Sequence, residues 1–128
     1  MKNTLLDNFY QEISTNFSDE NKLDFKCQIH FNAEHEIYKG HFPQIPIVPG
    51  VCLTQIIKEI LMEKLQKELI LVNGDNIKFL AMINPKENPD MELSFTVKIN
   101  ENTLDVSANY SHGGTTYTKF KGKFSVLE

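Results

Sequence analysis

Apolar residues recur at every second position over several stretches of the chain. Leu23, Phe25, Cys27, Ile29 and Phe31 form the clearest early run, with polar residues between most of them. A period of two predicts a β-strand with one dry face and one wet face. Ile13, Thr15 and Phe17 alternate in the same way before it, and the polar stretch Ser18-Asp19-Glu20-Asn21 joins the two runs into an expected hairpin with one buried face. Further on, the alternating runs are Ile77 to Ile83, Met91 to Ile99, Leu104 to Tyr110 and Thr118 to Val126. Leu69 to Val72 is a short apolar run, and Asn73-Gly74-Asp75-Asn76 after it predicts a turn.

Between the hairpin and the later strands the period changes. Val51, Leu53, Ile56, Ile57, Ile60, Leu61 and Leu65 cover most of a helix's circumference, leaving a narrow polar strip through Gln55 and Glu59 with Lys58 at its border. The pattern predicts one helix over residues 49–67, too apolar to lie on a surface. An antiparallel β-sheet wrapped around one long central helix buries both, which makes the chain a single α+β domain over residues 1–128, with residues 1–9 as an N-terminal turn or leader. Such a sheet has open edges. Pairing them across two subunits would cover them, so a homodimer is expected.

Composition removes several classes of function. An apolar content of 41% with 23% charged residues is that of a globular chain, and 128 residues suffice for one core. No run nears the roughly 18 apolar residues of a membrane span, and Met1 to Asn8 lacks a basic region followed by an apolar core. A cytoplasmic location is the expectation. All 13 basic residues are lysine and the net charge is -4, which argues against nucleic acid as a partner. Cys27 and Cys52 read as buried thiols, His30, His35 and His41 lack the spacing of a metal set, and His112 beside Gly113-Gly114 reads as a turn residue, so neither a metal nor another cofactor is expected. The row Lys119, Lys121, Lys123 reads as a solvated strand face that protects the sheet.

The candidate chemistry sits between Tyr38 and Glu59. Pro43, Pro46 and Pro49 stiffen an extended loop, because each ring fixes φ and keeps the preceding residue out of the helical region. His41 stands at the mouth of that loop, and Gly50 opens the helix, whose first N–H groups attract partial negative charge. A histidine beside such donors suits removing a proton next to a polarised carbonyl.

The segment Gly40-His41-Phe42-Pro43, then Pro46, then Pro49-Gly50-Val51, resembles the H-F-P-x-x-P-x-x-P-G signature of the 3-hydroxyacyl-[acyl carrier protein] dehydratases, which have the hotdog fold. Asn32 and Glu36 ahead of it, and Lys78-Phe79 with Pro85 after the helix, extend the likeness, which covers roughly Leu23 to the C-terminus. The resemblance implies a homodimer with an acyl tunnel near the subunit interface, an acyl carrier protein as partner, and a substrate carried as a thioester on its phosphopantetheine arm. It implies His41 as base and the Gly50 amide as carbonyl donor, with Phe42, Pro49 and Val51 around the substrate.

One position departs from the family. Its catalytic carboxylate lies five residues after the motif glycine, where this chain has Gln55, and Glu59 stands one turn later. An amide can bond a hydroxyl but delivers no proton near neutral pH. Three readings are open: Glu59 as a displaced acid, a different reaction run by His41 alone (thioester hydrolysis among them), or a module that binds acyl carriers without turnover.

Overall fold

In the computed structural model, which describes residues 7–18, 20, 21, 23–39 and 46–127 (backbone alone at Asp75), the alternating segments pair into one antiparallel sheet of six strands. They are β1 (Tyr10–Phe17), β2 (Asp24–Phe31), β3 (Leu69–Phe79), β4 (Asp90–Asn100), β5 (Thr103–His112) and β6 (Thr115–Val126), ordered β1-β2-β4-β5-β6-β3. The helix α1 (Gly50–Leu65) falls between β2 and β3 in sequence. It is the only α-helix among the described residues, and none there is long and apolar enough to cross a membrane.

The middle strands follow their alternation. Phe25, Cys27 and Ile29 on β2, Met91, Leu93 and Phe95 on β4, and Leu104, Val106 and Ala108 on β5 are all buried against the helix side. Ile56, Ile57, Ile60 and Leu61 of α1 fill the hollow, each at 1% exposure or less. Burying each such side chain contributes about 1.5 to 3 kcal/mol. Tyr110 adds a polar tie, its hydroxyl donating to the Leu53 carbonyl at 2.6 Å. The row of lysines on β6 points away from this core, as expected, with Lys119 and Lys121 exposed.

Helix α1 begins where the sequence predicts, because Pro49 is extended and its carbonyl accepts from the amides of Cys52 and Leu53. It stops at Leu65, since Gln66 turns left-handed and its N–H bonds back to the Met62 carbonyl. Val51, expected on the apolar buried face, is 79% exposed instead. Within the polar strip Glu59 is buried, and Gln55 and Lys58 are half-buried.

Three strands depart from simple alternation: β6 carries Tyr117 as an extra residue between Thr116, opposite Ser111, and Thr118, opposite Tyr110, and the other two are the edge strands β1 and β3. In β1, Glu12 pairs with Ile29 and Ser14 with Gln28, so Ile13 is one extra residue and bulges out, 58% exposed. A single extra residue reverses which side chains face inward. Tyr10 and Glu12 therefore share the inner face with Thr15 and Phe17, and the expected inward set of Ile13, Thr15 and Phe17 is broken at Ile13.

In β3, Asn73 to Asn76 makes no chain reversal. The flanks pair with the same strand, Leu71 with Phe124 and Ile77 with Phe120, and register shifts between them take up the surplus. Six steps on β3 (71 to 77) match four on β6 (120 to 124), so two extra residues leave Leu71 and Ile77 on one face. The predicted strand through Ala81 and Ile83 ends at Phe79, beyond which Ile83 is still buried in a loop.

Candidate functional site

Gly50 sits at the floor of a cavity of about 410 Å³ walled by Val48, Pro49, Leu53, Phe79 and Ile83. The Phe79 ring lies so close to the helix start that a Cβ on Gly50 would be 2.8 Å from its Cζ. The wall is stitched in place: Val48 N–H donates to the Ile83 carbonyl at 2.9 Å, and Leu80 and Ala81 N–H both donate to the Tyr117 carbonyl. Pro49 caps the helix without a side-chain bond, and its carbonyl takes the Cys52 and Leu53 amides, so the Gly50 amide ahead of them has no acceptor at the cap. The side chains lining the cavity are apolar except for Thr118, on the inner face of β6.

Two and a half turns past Gly50, roughly 13 Å along the helix axis, lies the polar part of the site. Glu59 receives a hydrogen bond on each oxygen, from Tyr10 Oη to Oε1 at 3.1 Å and from Gln55 Nε2 to Oε2 at 3.2 Å. The i to i+4 spacing puts Gln55 and Glu59 on one helix face, and the β1 bulge turns Tyr10 toward them. Burial, then the negative charge of Glu59 and its hydrogen bond, hold the Tyr10 hydroxyl well above its ordinary range. Tyr10 therefore remains a donor at every pH relevant to the fold.

Glu59 also borders a larger polar cleft of about 960 Å³ between the start of β1, the end of β2 and the loop at Pro85 to Pro89. Glu12 lines this cleft, with Lys64 Nζ 2.6 Å from its Oε2 and Thr15 donating to the same carboxylate. Burial disfavours the Lys64 charge, but the hydrogen bond and charge of Glu12, with Glu63 adding to them, outweigh it and raise the lysine above its ordinary value.

The structure thus brings Pro49 and Gly50 together at one cavity and Gln55 and Glu59 together as a bonded pair. Val51 does not line either space, and its side chain faces out. His41 and Phe42 lie outside the described residues. His35 has a local duty: its Nδ1 accepts from Ile37 N–H, so the proton sits on Nε2, which faces the Asp7 carbonyl at 2.9 Å. His30 pairs with Asp90 across β2 and β4 on the outer face. His112 ends β5 beside the Gly113-Gly114 turn, both of whose glycines have positive φ.

Two residues were not singled out by sequence. Tyr10 carried no signal, because alternation put it opposite Ile13. Thr118 was legible as inward-facing, but not as unpaired: its hydroxyl and that of Tyr38 are the buried side-chain polar groups lacking a hydrogen-bond partner among the described residues.

A single buried helix wrapped by an antiparallel sheet, with its N-terminus opening on an apolar cavity, defines a hotdog-fold protein. The chain belongs to the ApeI-like family, described as ApeI dehydratase, whose pattern matches residues 15–121. A 3-hydroxyacyl-[acyl-carrier-protein] dehydratase FabZ of Clostridium botulinum is 30% identical over 84 residues, which are 60% of this chain and 59% of that one. The FabZ of Bacillus velezensis is 25% identical over 71 residues, half of each chain. The chain therefore spans about half to three fifths of the length of the curated relatives it matches. Among solved structures, the dehydratase heterocomplex ApeI:P from Xenorhabdus doucetiae superposes with a TM-score of 0.73 at 17% identity, covering 90% of this chain and 96% of that one. At that identity the likeness concerns the fold alone.

Proposed function

We propose that this hotdog protein dehydrates a 3-hydroxyacyl thioester carried on the phosphopantetheine arm of an acyl carrier protein. His41 removes a proton from C2 while the Gly50 amide bonds the thioester oxygen. The C–H electrons become the C2=C3 double bond, the C3–O bond breaks, and the hydroxyl leaves as water with a proton from an acid. Gln55 orients that hydroxyl, and Glu59 supplies the proton through a bridging water. No cofactor takes part.

The observation that carries this reading is the Gln55–Glu59 hydrogen bond of 3.2 Å, which joins an amide and a carboxyl group into one unit on the helix that Gly50 opens. Membership of a dehydratase family supports the reaction type. The names of the FabZ relatives support the carrier-bound substrate. Purified protein given a 3-hydroxyacyl carrier substrate should release the trans-2-enoyl product by mass spectrometry. Glu59→Gln should lower the rate about 100-fold or more, the usual worth of a general acid. Turnover in His41→Ala equal to wild type, or no enoyl product from wild type, refutes the proposal. Release of free thiol instead would mark a thioesterase.

A second hotdog chain is the partner that fits the open sheet edge. Val51, Phe79, Leu80 and Met82 are all more than half exposed near β3, which is an edge of the sheet. An exposed apolar edge of this kind is ordinarily covered. A homodimer answers the need, and so does pairing with a paralogue; the Xenorhabdus neighbour is itself part of a heterocomplex. Sedimentation of wild type against Met82→Glu separates the cases: a dimer that the variant dissociates is the homodimer, and a wild-type monomer speaks for the paralogue.

A further inference from the structure

We propose that Thr118 is the second hydrogen-bond donor to the thioester carbonyl oxygen, opposite the Gly50 amide, and so a substrate-binding residue of this site. The inference rests on the thioester reading above and adds a residue to it. Thr118 is 2% exposed, and its Oγ1 has no partner among the described residues. A buried hydroxyl without a partner is uncommon, because it forfeits its bonds to water and gains none in return.

Its neighbour across β5 shows what a structural hydroxyl does here. Tyr110 lies opposite Thr118 in register and spends its hydroxyl on the Leu53 carbonyl at 2.6 Å. Thr118 faces the same side of the sheet, lines the same cavity as Leu53, and makes no such bond. The Gly50 amide, which lies ahead of those that the Pro49 carbonyl takes, has no side-chain acceptor at the cap and belongs to a residue lining the same cavity. It can only donate, and the unpartnered Thr118 hydroxyl has a proton to give, so an acceptor oxygen entering the cavity can satisfy both. A carbonyl in an otherwise apolar chain fits that demand. It has two lone pairs, one for an amide N–H and one for the hydroxyl, and its flanks match Val48, Phe79 and Ile83.

Two donors fixed in a dry cavity would stabilise negative charge as it develops on that oxygen, which affects kcat more than KM. Thr118→Val keeps the shape and removes the donor. It should lower kcat about 100-fold with KM unchanged, the scale of losing one such donor, while Thr118→Ser keeps most of the rate. The ligand-free Thr118→Val protein should melt no lower than wild type, because the hydroxyl it loses is unpaired.

A readout independent of turnover is the infrared stretch of a 13C=O-labelled saturated acyl-pantetheine thioester. Bound to wild type or Thr118→Ser it should shift to lower frequency than in Thr118→Val. If wild type fails to dehydrate yet this difference appears, the role of Thr118 stands and the dehydratase reading falls. If His41→Ala abolishes turnover while Thr118→Val matches wild type in rate and in stretch, the reverse holds. A thioester that does not bind wild type at all overturns both.

Discussion

The bond between Tyr10 and Glu59 can be weighed by removing the tyrosine hydroxyl in two backgrounds. Tyr10→Phe preserves the ring and deletes the donor to Oε1 of a carboxylate that is 6% exposed. A hydrogen bond to a charged group contributes about 1.5 to 3 kcal/mol, against about 0.5 to 1.5 for a neutral acceptor. In Glu59→Gln the acceptor is neutral, and Gln55 can turn its own amide to suit the new neighbour. Tyr10→Phe should therefore cost about 1 kcal/mol more in the wild-type background than in Glu59→Gln. Glu59 makes other interactions too, but they cancel because the same tyrosine change is compared twice. Urea unfolding of the four proteins at pH 7 gives the difference, and 1 kcal/mol corresponds to roughly 3 to 5 °C in melting temperature for a chain of this size. Equal costs in both backgrounds, to within about 0.3 kcal/mol, would mean that Tyr10 contributes by packing alone and that the carboxylate is not held from β1.

Two further expectations concern the core. Burial pushes the Cys27 thiol up to about 11 from an ordinary 9.0, with the Thr15 contact opposing the shift only in part. The fold thus prefers the protonated thiol, so this contribution is whole below pH 9 and is lost as pH rises through 11. A shift of that size is worth about 3 kcal/mol. The urea midpoint should fall between pH 9 and 11, less steeply in Cys27→Val, and a midpoint that stays flat over that window contradicts the assignment. Gly122→Ala would place a Cβ 2.7 Å from Phe120 Cζ and 2.9 Å from the Asn73 carbonyl oxygen at the β3 bulge. The ring can move but the carbonyl belongs to a paired strand, so overpacking of about 1 to 3 kcal/mol is expected. Calorimetry showing an unchanged melting temperature would mean that the bulge yields freely.

Strands buried on one face were legible because burial enforces their period, as Met91, Leu93, Phe95 and Val97 show. Legibility failed at the sheet's two edges, where a strand has one neighbour and can absorb extra residues. Asn73 to Asn76 has the composition of a turn, yet Leu69 to Leu71 and Ile77 to Phe79 both pair with β6, so the chain runs on through a bulge. The helix start was readable from Pro49-Gly50, since proline fixes its own φ and keeps the residue before it out of the helical region. The burial of Glu59 was not, because its donor Tyr10 comes from 49 residues away and no local pattern announces it.

The two edges differ in parity, and parity decides what reaches the site. Two surplus residues in β3 leave its inner face unchanged, so Ile77 and Phe79 stay in line with Leu71 and Phe79 arrives over Gly50. One surplus residue in β1 reverses the face, which moves Tyr10 and Glu12 inward and Ile13 out. Without that bulge the first half of β1 would offer Ile13 to the core and leave Glu59 without its tyrosine donor. Gln11 and Ile13 would then face inward in place of Tyr10 and Glu12, and Lys64 would lose the carboxylate it holds at 2.6 Å. Glu59 inside the sheet and a bulge at Ile13 are in this sense one feature. The polar end of the site is set as much by the edge strand as by the helix that carries the carboxylate.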